Sequence, residues 1–363
     1  MMESAGRARN SSNRPRNNNN TLRNAAGAIL LSLISLIVIL RITRGSVFLP
    51  DLFRIDPLFM SAAAALVLVG WLLDAIRLII LLRALGGRIG LLRCLSITLT
   101  GAFISGITPF DTGGEPLQIY LLHQSGITLG ESTAVIAMKI LLSSLARLFL
   151  GSIIPVWLFF SKKTWDIPPS MGIVITVGLL LYALAFGIGI LFLIRPELAN
   201  SLLPLILRNR VMSRLISPST TEAIIERVRT GVLEFRGAIA RFMQEGRWAL
   251  AAAIITSLLG WAVLFSIPVL LLRGLGIDPP YAEVFGIIGL FYLAAAYAPT
   301  PGSSGAMEVG FAVLLGRFVP FQLIGIFVAA WRFITYYLTL FIGGFLFAMG
   351  IRRGWGQKRG PED

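Results

Sequence analysis

The sequence predicts an all-α integral membrane protein made of two inverted repeats, and three observations carry that prediction. Of the 363 residues, 56% are hydrophobic and only 14% charged, where a soluble domain has roughly a quarter charged; mean hydropathy is +0.80. Six apolar stretches are long enough to cross hydrocarbon, which takes about 20 helical residues. Two further apolar stretches are interrupted in the middle by proline and glycine.

The six spans are Ala25 to Ile42, Pro57 to Leu82, Ser132 to Phe160, Ser170 to Ile194, Trp248 to Leu272 and Phe321 to Ile351. Each is read as a helix because lipid offers no partner to unpaired backbone groups. Leu91 to Leu122 is broken at Thr108-Pro109-Phe110-Asp111-Thr112-Gly113-Gly114-Glu115-Pro116, and Ala282 to Val319 at Pro299-Thr300-Pro301-Gly302-Ser303-Ser304-Gly305. Proline removes a donor and glycine frees the backbone, so neither helix continues through its break. The count is then about six full spans plus two re-entrant hairpins, or about eight spans if the broken stretches cross.

Charge sets the expected orientation. The net charge of +14 collects in the tail at 1–24, in the loop carrying Arg83, Arg88 and Arg93, in the 195–247 segment and in the tail at 352–363. Basic residues are retained on the cytoplasmic side, so both termini and the 195–247 linker are expected there, in the inner or plasma membrane. With the N-terminus inside, the first broken stretch must begin and end on the cytoplasmic side; the second must dip in from outside. The membrane repeats at 25–194 and 248–351 then each hold a hairpin between spans, in opposite orientations. The breaks share Thr-Pro-x-x-x-Gly, with Glu115 and Glu308 following. Paired Gly/Pro-interrupted segments in inverted halves point to a midplane binding site.

Three motifs in order resemble the lysylphosphatidylglycerol synthase transmembrane-region family, the flippase-like membrane domain. They are Ile107-Thr108-Pro109-Phe110 through Gly113-Gly114-Glu115-Pro116 with Tyr120-Leu121-Leu122; Pro299-Thr300-Pro301-Gly302 with Gly305-Ala306-Met307-Glu308; and Arg332 with Ile334-Thr335-Tyr336-Tyr337 and Gly343-Gly344. The resemblance covers nearly the whole chain. It implies a polytopic membrane protein that moves, or helps move, an amphiphilic lipid between leaflets. Members that make the lysyl-lipid carry a soluble transfer domain after the membrane region, whereas this sequence stops at Asp363, so synthase activity is not implied. Where the family commonly places an acid beside a base, this chain has Met138-Lys139.

Ionisable groups at membrane depth are costly and therefore functional candidates. Glu115 and Glu308 each follow a break near a half-helix start, where free N–H groups favour a carboxylate. Capping alone explains them, as does binding of a cationic headgroup, a cation or a proton; the same N–H groups could instead hold a lipid phosphate. Lys139, Arg147 and Arg332 lie within spans. They either pair with Glu115, Glu308 or Asp111, or grip a lipid phosphate, a task that suits the forked guanidinium. Asp74 and Arg77, three apart, read as a local pair. Thr108, Pro109, Gly113, Gly114, Thr300, Pro301, Gly302 and Gly305 form the loop motifs themselves. The loop oxygens of Thr108, Asp111, Thr300, Ser303 and Ser304 suit either a cation or local hydrogen bonding.

Ile225, Val228, Val232, Phe235, Ile239 and Phe242 make one apolar stripe in the 195–247 linker. It reads as an amphipathic helix on the anionic leaflet or as a helix packed on the bundle. One cysteine, Cys94, and one histidine, His123, leave no disulfide and no metal cluster built on those residues. With no GxxxxGK[ST], GxSxG, HExxH or paired-cysteine motif, neither enzymatic activity nor a cofactor is expected. The expected partners are membrane lipids rather than nucleic acid, with a separately encoded lipid-modifying enzyme as the alternative.

Overall fold

The computed structural model describes residues 55–160, 169–207, 218–295 and 298–352. The expected tails and the expected span Ala25 to Ile42 lie outside the described residues, save Arg352 at the end of the last helix. Among those described, 87% are helical and none is in a strand. Five helices are long and apolar enough to span: α1 (Pro57–Ala84), α4 (Leu129–Phe160, spanning through Ile153), α5 (Pro169–Ile194, spanning from Ile175), α8 (Arg247–Gly274), and α11 (Phe321–Arg332) running through a π turn at Phe333–Tyr337 into α12 (Leu338–Arg352).

Both interrupted stretches are broken helices. The first is α2 (Leu91–Ile107), a 3-10 turn at Pro109–Asp111 and α3 (Gly114–Gln124); the second is α9 (Tyr281–Ala294), a 3-10 turn at Pro301–Ser303 and α10 (Ala306–Leu315). Each returns to the end at which it started. Gly87, before α2, lies against Ile127, after α3, and Arg317, after α10, reaches Glu283 in the first turn of α9 at 3.3 Å.

The order long helix, broken hairpin, long helix therefore occurs twice, as α1 to α4 and as α8 to α12, and the two sets interlock. Helix α1 packs along α8, the first hairpin arm α2 along α12, and the second hairpin arm α9 along α4. Small residues allow the close approaches. Gly151 of α4 faces Gly289 of α9 so tightly that a Cβ on Gly289 would lie 2.8 Å from the Gly151 Cα. Helix α5 is apolar all round, with Ile173, Leu180, Leu184 and Ile194 exposed, the pattern of a helix whose outer face meets lipid rather than water.

Between the two sets lie α6 (Glu197–Leu207) and α7 (Pro218–Gln244). The apolar stripe of α7 faces the bundle: Val232, Phe235, Ala238 and Phe242 are buried. The Glu234 carboxylate accepts from the Gly130 N–H at 2.8 Å, and Arg241 pairs with Glu131, both at the start of α4. This is the bundle-packed form of the linker helix.

Candidate functional site

The two breaks share a backbone. Thr108 and Thr300 are extended (φ −110°, ψ 146° and φ −89°, ψ 147°), Pro109 and Pro301 begin a 3-10 turn, and Phe110 and Gly302 both sit at φ 58° in the left-handed region. The turns are held alike. Thr108 Oγ1 donates to the Ile104 carbonyl at 2.9 Å and accepts from the Gly113 N–H at 3.0 Å, while Thr300 Oγ1 donates to the Ser304 carbonyl at 2.7 Å. Both threonine hydroxyls hydrogen-bond within their own turns. The turns also touch, with Ser303 Oγ 3.5 Å from Asp111 Oδ2. Asp111 Oδ1 is buried without a partner among the described residues.

The second break is closed around an ion pair. Glu308 is 0% exposed and Arg332 4%, and Arg332 Nε donates to Glu308 Oε1 at 2.8 Å. The other carboxylate oxygen accepts from the Gly305 N–H at 2.7 Å, capping α10, and Arg332 Nη2 donates to the Gly302 carbonyl at 3.2 Å. Arg332 thus holds the carboxylate and the break together. The π turn directly after it swings Tyr336 over the guanidinium, 4.6 Å from ring centroid to Cζ, and lets the Tyr336 hydroxyl donate to the Gly106 carbonyl in α2 at 2.9 Å. Gly302 combines a left-handed φ with the Tyr336 ring alongside, so a Cβ there would collide with the ring.

The first break is arranged differently. Glu115 stands in the first turn of α3 and forms no ion pair among the described residues. Lys139, on α4, donates instead to Asp74 Oδ2 of α1 at 2.7 Å and to Gln118 Oε1 of α3 at 3.0 Å. Asp74 also keeps its local pair with Arg77, whose Nη1 donates to Ser257 Oγ on α8 at 2.9 Å. Asp74 is therefore shared by two buried cations. The acid absent beside Lys139 in sequence is supplied by the neighbouring helix.

A chamber of about 230 Å³ opens between these groups, lined by Glu115, Lys139, Arg77, Gln118, Arg147 and Trp261 among others. A second cavity of about 240 Å³ adjoins it through Arg77, Ser143 and Trp261. Arg147 lies between two rings, its Cζ 4.8 Å from the Tyr182 centroid and 5.0 Å from that of Trp261, a cation–π arrangement. Both rings are anchored: Tyr182 donates to the Ser144 carbonyl at 2.8 Å, and Trp261 Nε1 to the Ser143 carbonyl at 3.0 Å. Arg147 has no carboxylate partner among the described residues, and its Nε is buried without a hydrogen bond.

The sequence-predicted candidates thus fall in two groups. Glu308, Arg332, Gly302, Gly305 and the Thr-Pro turns with Asp111 form one; Glu115, Lys139 and Arg147 line the chamber. His123 is exposed at the end of α3, its Nδ1 2.9 Å from the Ile127 carbonyl, apart from both. Sequence reasoning does not reach Gln118, Tyr182 and Trp261, nor the link from Asp74 to Lys139. One signal for the pairing was available: the same 24 residues separate Glu115 from Lys139 and Glu308 from Arg332, marking Lys139 and Arg332 as positional counterparts.

Residues 25–343 match the family described as the lysylphosphatidylglycerol synthase TM region. A UPF0104 membrane protein of Archaeoglobus fulgidus is 27% identical over 315 residues, covering 87% of this chain and 93% of its own length. A polytopic membrane protein with interlocked broken helices, this chain belongs to the lysylphosphatidylglycerol synthase TM-region family.

Proposed function

We propose that this protein translocates a phospholipid between leaflets, through two inverted repeats whose broken helices meet at the membrane midplane. The contact between the two equivalent Thr-Pro turns, Ser303 against Asp111 at 3.5 Å, carries the reading. Irregular backbone at membrane depth is tolerated where it lines a polar path, and it is the arrangement used by transporters built from inverted repeats. The N- and C-termini and α7 lie on the cytoplasmic side of the plasma membrane in this proposal, because the basic residues gather there. The chain acts without catalysis of its own.

The ion pairs supply a mechanism. Arg332 is held by its counterpart acid Glu308, while Lys139 is held by Asp74 and leaves Glu115 open to the chamber. Two halves of one design thus sit in two different states. Exchange of Lys139 from Asp74 to Glu115, and release of Arg332 from Glu308, would give the conformation opened to the other side. Glu115 and Glu308 exchange a cation or proton in that cycle while an arginine holds the headgroup phosphate.

The test is translocation of a fluorescent phospholipid by full-length protein in vesicles. Glu115→Gln combined with Glu308→Gln is expected to abolish it; a double variant as active as wild type would overturn the mechanism. Inversion is tested with Cys94→Ser protein carrying single cysteines at the exposed Gln124 and Asp278. Impermeant labelling should reach them from opposite sides, and labelling of both from one side sinks the inverted-repeat reading. The family description, a membrane region of a synthase, favours a second reading as the membrane subunit of a separate lipid-modifying enzyme. Translocation by the purified chain alone would count against it.

A further inference from the structure

We infer that Arg147 is a phosphate site for a phospholipid that enters sideways, its headgroup in the chamber and one acyl chain in the groove between α4, α5 and α7. This rests on the translocation reading and names the substrate's route and recognition. The groove, about 460 Å³, is of small-ligand size (~300–1,000 Å³). Phe186, Phe192, Leu193, Val232 and Phe235 make it largely apolar. Ile140 and Ser144, one turn apart on α4, line both the groove and the chamber, so an apolar volume and a polar one adjoin on one helix face. A lipid straddling them keeps its chain in hydrocarbon-like surroundings, and only the headgroup exchanges water for protein.

The charges specify that headgroup. Arg77 and Lys139 share the Asp74 carboxylate, and Glu115 is the remaining acid of the chamber. With Arg147 the three cations exceed the two carboxylates by one, which complements a single phosphodiester anion. Arg147 is the chamber cation with no carboxylate partner among the described residues: its Nε, like that of Arg77, is buried and unpartnered, and the Tyr182 and Trp261 rings flank its guanidinium. A phosphate accepting from such a fork satisfies donors that the protein itself leaves unpaired.

The experiment uses full-length protein in nanodiscs containing phosphatidylglycerol with a photoactivatable acyl chain, with crosslinks mapped by mass spectrometry. Wild type is expected to crosslink on the groove faces of α4, α5 and α7. Arg147→Gln should reduce the yield about tenfold or more, as for loss of a charge-assisted hydrogen bond, with Arg147→Lys partly restoring it. Gly189→Trp, where an added side chain meets open space in the groove, should abolish groove crosslinks without loss of helical content. Equal crosslinking by diacylglycerol bearing the same chain, or an Arg147→Gln yield equal to wild type, would overturn the proposal. So would competition by soluble glycerol 3-phosphate, which would make this a site for free phosphate. Wild type that crosslinks as expected but moves no lipid in vesicles retains this site and refutes translocation. Wild type that moves lipid while crosslinking ignores Arg147 and Gly189 does the reverse.

Discussion

The two breaks have the same turn and opposite electrostatics. In the second, Glu308 is sealed from solvent and bound by Arg332 and the Gly305 N–H; in the first, Glu115 faces a chamber while Lys139, the counterpart of Arg332, is held by Asp74 and Gln118. The difference shows one turn motif in two electrostatic settings. In this conformation one carboxylate is clamped at the start of its half-helix, whereas the other borders open space.

Removing one side of the clamp should have the largest effect. Arg332→Ala removes the guanidinium paired with the fully buried Glu308, a loss of about 3–5 kcal/mol, to be read as a lowered thermal midpoint in detergent. Changing both residues, as Glu308→Gln with Arg332→Gln, should recover part of that loss because no buried charge is left unpaired. If the double variant is no more stable than Arg332→Ala, the pair does not hold the second break closed.

The backbone of the two turns gives the next contrast. Gly302→Ala adds a Cβ at φ 58° and against the Tyr336 ring, which should destabilise by about 2 kcal/mol. At the matching position the first break carries Phe110, also at φ 58° and 48% exposed. Phe110→Gly should therefore be neutral or stabilising, by up to about 1 kcal/mol. Equal losses from both substitutions would show that the shared dihedrals do not carry the strain. Lys139→Ala should cost less than Arg332→Ala, about 1.5–3 kcal/mol, since Asp74 keeps Arg77 and is 31% exposed.

These contrasts mark where the sequence was legible. Both breaks were, because proline and glycine forbid a continuous helix whatever surrounds them. Glu308 and Arg332 were also legible, as opposite charges in apolar segments that require partners. The role of Asp74 was not: Arg77, three residues on, accounts for it locally, and the reach of Lys139 from α4 exists only once α1 and α4 pack. Arg147 stood out as a charge, but its seat between Tyr182 and Trp261 joins three helices distant in sequence. The π turn after Arg332 has no compositional mark; it is visible only in where it sends Tyr336.

The smallest effect on stability should come from Glu115. Glu115 forms no ion pair among the described residues and borders a chamber, so Glu115→Gln keeps its size and breaks no ion pair. A change of about 0.5 kcal/mol or less is expected. If Glu115 is the exchange partner of Lys139, the same substitution should stop lipid translocation, because Lys139 would have no second carboxylate to move to. A variant that is stable and inactive would separate the open acid from the clamped one. A variant that is stable and fully active would remove Glu115 from the transport cycle.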